Sequence, residues 1–169
     1  MSAERPSVAF HAGEGCAPSL DLARLASALE ALLVHFPRTV SRVDARLVGD
    51  AEMDAAHRRF MGIAGTTDVM SFPAHDESDA SAAVEVDLLI CTDVAGREAA
   101  ARGHAAEREI LLYAVHGTLH ACGFRDDTAE SFRAIHAEED RILAAGGLGA
   151  VYAVPARDAT EEHPKDAPT

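Results

Sequence analysis

The spacing of hydrophobic positions changes several times along this chain, and each change marks an element. Val40 to Val48 alternates apolar and polar residues, the period of a strand with one buried face. Leu20 to Leu33 instead carries apolar residues at 22, 25, 29, 32 and 33, one face of an amphipathic helix, with Ser19 as its cap and Pro37 near its end. A short first strand is predicted over 6–11. Asp50 opens a short helix over 51–60, 62–67 is a loop, and Asp68 to Phe72 is a short strand closed by Pro73. The polar segment from Ala74 to Ala83 reads as a surface loop. Val84 to Cys91 is apolar on both faces and belongs inside a sheet. Three helices follow: one capped by Thr92 or Asp93 and stopped by Gly103, one from Glu107 to Cys122, and one opened by Thr128 and closed by Gly146-Gly147. Strands early and helices late predict an α+β fold, a small sheet with helices packed on it.

Composition sets the scale. With 169 residues, 48% of them hydrophobic, the chain suits one domain, read over 1–150, followed by an acidic disordered tail over 151–169. No apolar run reaches the length of about 18 residues that a membrane helix needs, and Met1 to Pro6 lacks the apolar core of a signal peptide, so a cytoplasmic protein without membrane partners is expected. Cys16, Cys91 and Cys122 have no disulfide or metal-pair spacing, and Cys122 reads as a small buried hydrophobe. A net charge of −13 opposes nucleic-acid binding by bulk electrostatics. Yet Asp158, Glu161, Glu162 and Asp166 lie in the tail and Asp76, Glu77 and Asp79 in one loop, while Arg38, Arg42, Arg46, Arg58 and Arg59 gather in one third of the chain. Those arginines are either a local basic groove or the solvated face of a strand.

The chemistry is concentrated between Ala114 and Asp127. At about 100° per residue, His116 and His120 stand roughly 40° apart on one helical face, one turn apart, close enough to share an ion. Gly123 can take the left-handed conformation that ends a helix and returns the chain, which brings Asp126 back toward the histidines. Two imidazoles and a carboxylate are a known ligand set for zinc with an open position. The alternative is that both histidines merely sit on a buried helix while Asp126 and Asp127 cap the next one. His104 and His136 read as surface helix residues.

The sequence His116-Gly117-Thr118-Leu119-His120, followed by Gly123-Phe124 and Asp126, resembles the His-Gly-x-Leu-His-x-x-Gly-Tyr-Asp-His signature of the YbeY family, bacterial metal-dependent endoribonucleases that mature ribosomal RNA. Upstream, Thr67-Asp68-Val69-Met70-Ser71-Phe72-Pro73 is similar to that family's Thr-Asp-Val-Leu-Ser-Phe-Pro, and Val86-Asp87-Leu88-Leu89-Ile90 to its Gly-Asp-Ile-Val-Ile. The three blocks keep their order over roughly residues 40 to 143.

The resemblance implies an α+β fold, a small mixed sheet of about four strands packed with helices and with the metal helix central, and a single-strand-specific endoribonuclease acting on ribosomal RNA, with the ribosome or its proteins as partners. It implies one Zn²⁺ held by His116, His120 and Asp126, where Asp126 substitutes for the family's third histidine. A harder carboxylate ligand also admits Mn²⁺ or Fe²⁺. The family's arginine before the Thr-Asp-Val block falls at Met61 on a gap-free reading, which leaves Arg59, or Arg58, as the candidate phosphate contact. Two rivals share the paired histidines: a metal-dependent peptidase or amidase, and a non-catalytic ribosome-assembly factor with a structural metal. Gly117 stands where a His-Glu-x-x-His peptidase carries its base, which speaks against the first.

Overall fold

The computed structural model describes residues 5–16 and 19–149. The predicted tail over 151–169 lies outside these residues. Four strands, β1 (Ser7–Ala12), β2 (Val40–Val48), β3 (Val69–Pro73) and β4 (Val84–Cys91), form one mixed sheet in the order β1-β2-β4-β3. β1 and β4 run parallel to β2, and β3 pairs antiparallel with β4 at the edge. Five α-helices follow the predicted order: α1 (Leu22–Leu32), α2 (Asp50–Met61), α3 (Thr92–Arg102), α4 (Ala106–Ala121) and α5 (Ala129–Ala145).

Strand alternation divides the interior into two parts. Val43, Ala45 and Leu47 of β2 and Val86, Leu88 and Ile90 of β4 face a large core shared with Leu25, Leu29 and Leu32 of α1, Ile110, Leu112 and Val115 of α4, and Ile135 and Ile142 of α5. The opposite parity, Val48, Met70 and Cys91, meets Met53 of α2 in a smaller cluster. α4 is buried around most of its girth, so the side chains it carries ride on a rigid element.

Several caps differ from those the sequence suggested. α1 is capped by Asp21, whose carboxylate accepts from the Arg24 N–H at 3.0 Å, rather than by Ser19; a 3₁₀ turn (Leu33–His35) then leads to Pro37. Asp50 is the first helical residue of α2, not its cap. Its N–H donates to the Asp93 carboxylate at 2.8 Å, so the N-terminus of α2 is satisfied from α3. Thr92 and Asp93 are likewise inside α3, which Cys91 precedes as cap and Gly103 ends at φ 73°. For α2 a tertiary partner satisfies an orphan N–H group that a local side chain was expected to serve, whereas for α1 the cap is another local carboxylate. α5 is capped as expected: Thr128 Oγ1 accepts from the Ser131 N–H, and Ser131 Oγ accepts from the Thr128 N–H, each at 3.0 Å.

Candidate metal centre

Two features of α4 aim its histidines. Gly117 lies where the helix presses on β3 and β4: a Cβ there would stand 2.7 Å from Leu88 Cδ2, 2.9 Å from Ser71 Oγ and 3.0 Å from Val69 Cγ2. Ser71 Oγ donates to the Gly117 carbonyl at 2.8 Å, which pins the helix to the edge strand at this level. Position 117 is therefore glycine for close packing. The second feature is the turn after Cys122, where Gly123 takes φ 103° and the Phe124 N–H donates to the Leu119 carbonyl at 3.1 Å. Only that left-handed step lets the chain fold back at once over the end of the helix.

The return brings Asp126 to the histidines. His116 Nε2 and His120 Nε2 are 3.0 Å apart, and Asp126 Oδ2 lies 3.6 Å from the first and 3.4 Å from the second. Ligands at about 2.0–2.1 Å from a tetrahedral ion stand roughly 3.3 Å from one another, so this triangle has the dimensions of a site that could hold a metal ion. The donor set also fits by exposure. The side chains of His116 and His120 are 14% and 28% exposed and that of Asp126 is 46% exposed, so the apex of the triangle opens to solvent. A cleft of about 310 Å³ lined by His120, Phe124, Asp126 and Glu77 adjoins it.

Behind the triangle both Nδ1 atoms are engaged. His120 Nδ1 is 2.9 Å from the Phe124 carbonyl, an acceptor only, so Nδ1 carries the proton and Nε2 the lone pair. His116 Nδ1 bonds to Glu139 Oε1, and the other oxygen of Glu139 meets His136 Nδ1 at 2.8 Å. Burial works to lower the His116 pKa, but the hydrogen bond and charge of Glu139, with Asp68 and Asp126 beyond, outweigh it and raise the value. A carboxylate behind a ligating histidine fixes its tautomer and increases its basicity. His116, His136 and Glu139 also lie within reach of one ion. There, however, the histidine Nδ1 atoms are already paired with the carboxylate, which describes a hydrogen-bonded relay better than a second ligand set.

Sequence reasoning missed Glu139. A signal existed: on α5 it shares the buried stripe of Ile135, Ile142 and Leu143 and is itself fully buried, and an acid on an apolar stripe needs a partner. His136 is not a surface residue as expected; it is partly buried between Glu139 and Phe132. Nor is His104, which follows Gly103 with its Nε2 3.0 Å from the fully buried Glu109. Cys122 is buried, and burial pushes its thiol up to about 11, in keeping with a hydrophobe rather than a ligand. Asp127 does not cap α5 directly. It pairs with Arg125 at 2.9 Å, which lowers its pKa, and accepts from Ser131 Oγ.

The arginines form no shared groove. Arg42 bonds Asp87 at 2.6 Å and Glu85 at 3.4 Å, Arg46 bonds Glu52 at 2.9 Å, and Arg38 donates to the Ala82 carbonyl at 2.9 Å. The arginines of β2 thus pair with acids of β4 and α2. Arg58 bonds Asp54 within α2. Arg59 holds its guanidinium carbon 5.3 Å from the Phe60 ring centroid, and Phe60 packs edge-on against Phe72 of β3.

A model of the family Endoribonuclease YbeY matches residues 20–147 of this chain. An endoribonuclease YbeY of Frankia casuarinae is 34% identical over 148 aligned residues, spanning 80% of this chain and 72% of that protein. Those of Frankia alni and Acidothermus cellulolyticus are 33% and 32% identical, spanning 80% and 75% of this chain and 80% of each relative. The solution structure of TM1509 from Thermotoga maritima superposes with a TM-score of 0.51 at 24% identity, covering 82% of this chain and 90% of that one, which establishes the shared fold.

Proposed function

The chain belongs to the YbeY endoribonuclease family, and from that premise we propose that it cuts single-stranded RNA during ribosomal RNA maturation and ribosome quality control, at a centre where His116, His120 and Asp126 hold one zinc ion. The observation that carries this reading is the triangle of donor atoms, none more than 3.6 Å from another, at the solvent-facing end of a buried helix. An ion there would supply Lewis acidity toward a phosphoryl oxygen and would make a nearby water more acidic, toward a pKa of about 7.

The chain's own residues do the rest. Nδ1 contacts to Glu139 and Phe124 hold His116 and His120 with Nε2 toward the open face. Asp126 adds a negative charge where the family has a neutral imidazole. That charge would weaken the Lewis acidity of a bound ion, and a carboxylate as a harder ligand would admit manganese or iron beside zinc. Arg59 is the proposed contact for the substrate phosphate, which a guanidinium binds through paired N–H groups. The work is expected in the cytoplasm, with ribosomal RNA and ribosomal proteins as partners. No helix among the described residues is long and apolar enough to cross a membrane.

Elemental analysis of the protein beside a His116→Ala, His120→Ala variant, with cleavage of single-stranded RNA and of peptide followed in parallel, tests the reading. One metal per chain is expected, lost in the variant together with RNA cleavage, and peptide is left intact. Asp126→His should raise the phosphodiesterase rate or change the metal retained. No change in either counts against ligation by Asp126.

A further inference from the structure

Four aromatic rings form a continuous row that starts at the candidate metal centre and ends in solvent. His120 and His116 meet edge-on with centroids 4.6 Å apart, His136 lies nearly parallel to His116 at 5.9 Å and 24°, and Phe132 meets His136 edge-on at 4.2 Å and 74°. The inner rings are held by the bonds already described. Phe132 is 52% exposed, so about half of a large apolar side chain faces water one ring beyond a neighbour of a proposed ligand. Hydrophobic burial does not explain that placement.

We propose that Phe132 is a stacking subsite for an unpaired nucleobase of the RNA, next to the phosphate to be cut. The proposal rests on the reading of His116, His120 and Asp126 as the metal centre. Three observations favour a base over an apolar side chain of a protein partner. The exposed surface is one flat ring at the end of a ring row, not a broad apolar patch. It lies two rings from His116, a proposed ligand of the metal centre. And a chain of net charge −13, whose arginines 38, 42, 46 and 58 are tied to partners of its own, has little electrostatic hold on RNA. Stacking supplies affinity without charge, because every base has a π face, and a splayed single strand offers those faces where a duplex hides them.

Phe132 would thus serve in binding and take no part in the chemical step. The test compares the full chain with Phe132→Ala and Phe132→Trp, stripped of metal so that RNA stays whole. The probes are short single-stranded RNAs carrying 2-aminopurine at successive positions, and the same RNAs abasic at those positions. At one position, Phe132→Ala should weaken binding about 5- to 100-fold, and the abasic RNA should bind wild type and variant alike. Phe132→Trp should retain affinity and quench the 2-aminopurine. In metal-loaded protein Phe132→Ala should raise KM more than it lowers kcat, with metal content unchanged. Equal affinity of wild type and Phe132→Ala for base-bearing RNA overturns the proposal, as does an equal loss on abasic RNA. Failure of the metal reading would show separately, as metal and cleavage retained by the His116→Ala, His120→Ala variant.

Discussion

At the residue scale the candidate centre depends on which atom of each side chain is free. Glu139 is fully buried and spends both oxygens on histidine Nδ1 atoms, so it acts on an ion only through His116. Glu139→Gln should weaken metal affinity about 10- to 100-fold, read by competition with a chromophoric chelator. It should also destabilise the fold by about 1–3 kcal/mol, because an amide cannot accept from two imidazoles through both of its ends. An unchanged metal affinity would reduce Glu139 to a packing role. His116, His120 and Asp126 were legible from spacing alone, since all three fall within eleven consecutive residues whose geometry is helix, turn and return. Glu139 was not. Its burial could be read from the stripe on α5, but which group it meets 23 positions away depends on how two helices cross.

At the scale of elements, the position of α4 against the edge strand is set by Gly117. Helix propensity alone favours alanine there by about 1 kcal/mol, whereas overpacking against Leu88, Ser71 and Val69 costs about 1–3 kcal/mol. Gly117→Ala is therefore expected to be destabilising by up to about 2 kcal/mol net, measured by urea denaturation, and to loosen metal binding as the helix shifts. On the other face, α2 and α3 are joined by Arg97, which bonds both oxygens of Asp50 at 2.7 and 3.0 Å. That bond, aided by Cys91, holds the Asp50 carboxyl below the usual range. A depressed folded-state pKa contributes stability that is complete above the unfolded value and lost as pH falls through the folded one. The difference in Tm between wild type and Asp50→Asn should accordingly be greatest near neutral pH and close below about pH 4. Element types and most boundaries could be read from periodicity. Caps could not always be, because the N-terminus of α2 finds its partner, Asp93, across the tertiary fold.

For the whole molecule, the apolar core does not depend on an ion: its two clusters run from α1 through the sheet to α5 and close without the triangle of ligands. Chelation should leave the far-UV spectrum and cooperative unfolding in place. Stability should fall only by the linkage term, about 2.7 kcal/mol where free metal had stood at a hundredfold its Kd. Unfolding on chelation would instead favour the structural-metal reading. RNA affinity should have a shallow salt dependence, with a log–log slope of about −0.7 to −1.4, equivalent to one or two phosphates on a single strand. A steep slope would mean that a basic surface exists after all.

What the sequence determined by itself is local: the strands and helices, the two histidines on one face, the glycine that turns the chain, and the carboxylate that follows. These depend on spacing within a few residues, and backbone geometry converts spacing into direction. What only the tertiary structure decided is pairing between distant segments. It put Glu139 and His136 behind His116, set Phe132 at the open end of the ring row, gave Gly117 its packing role, and consumed the arginines of β2 in ion pairs rather than a groove. The physical reason is that a buried charge or an exposed ring is intelligible only through its neighbours, and those neighbours are supplied by the packing of α4 and α5 on the sheet.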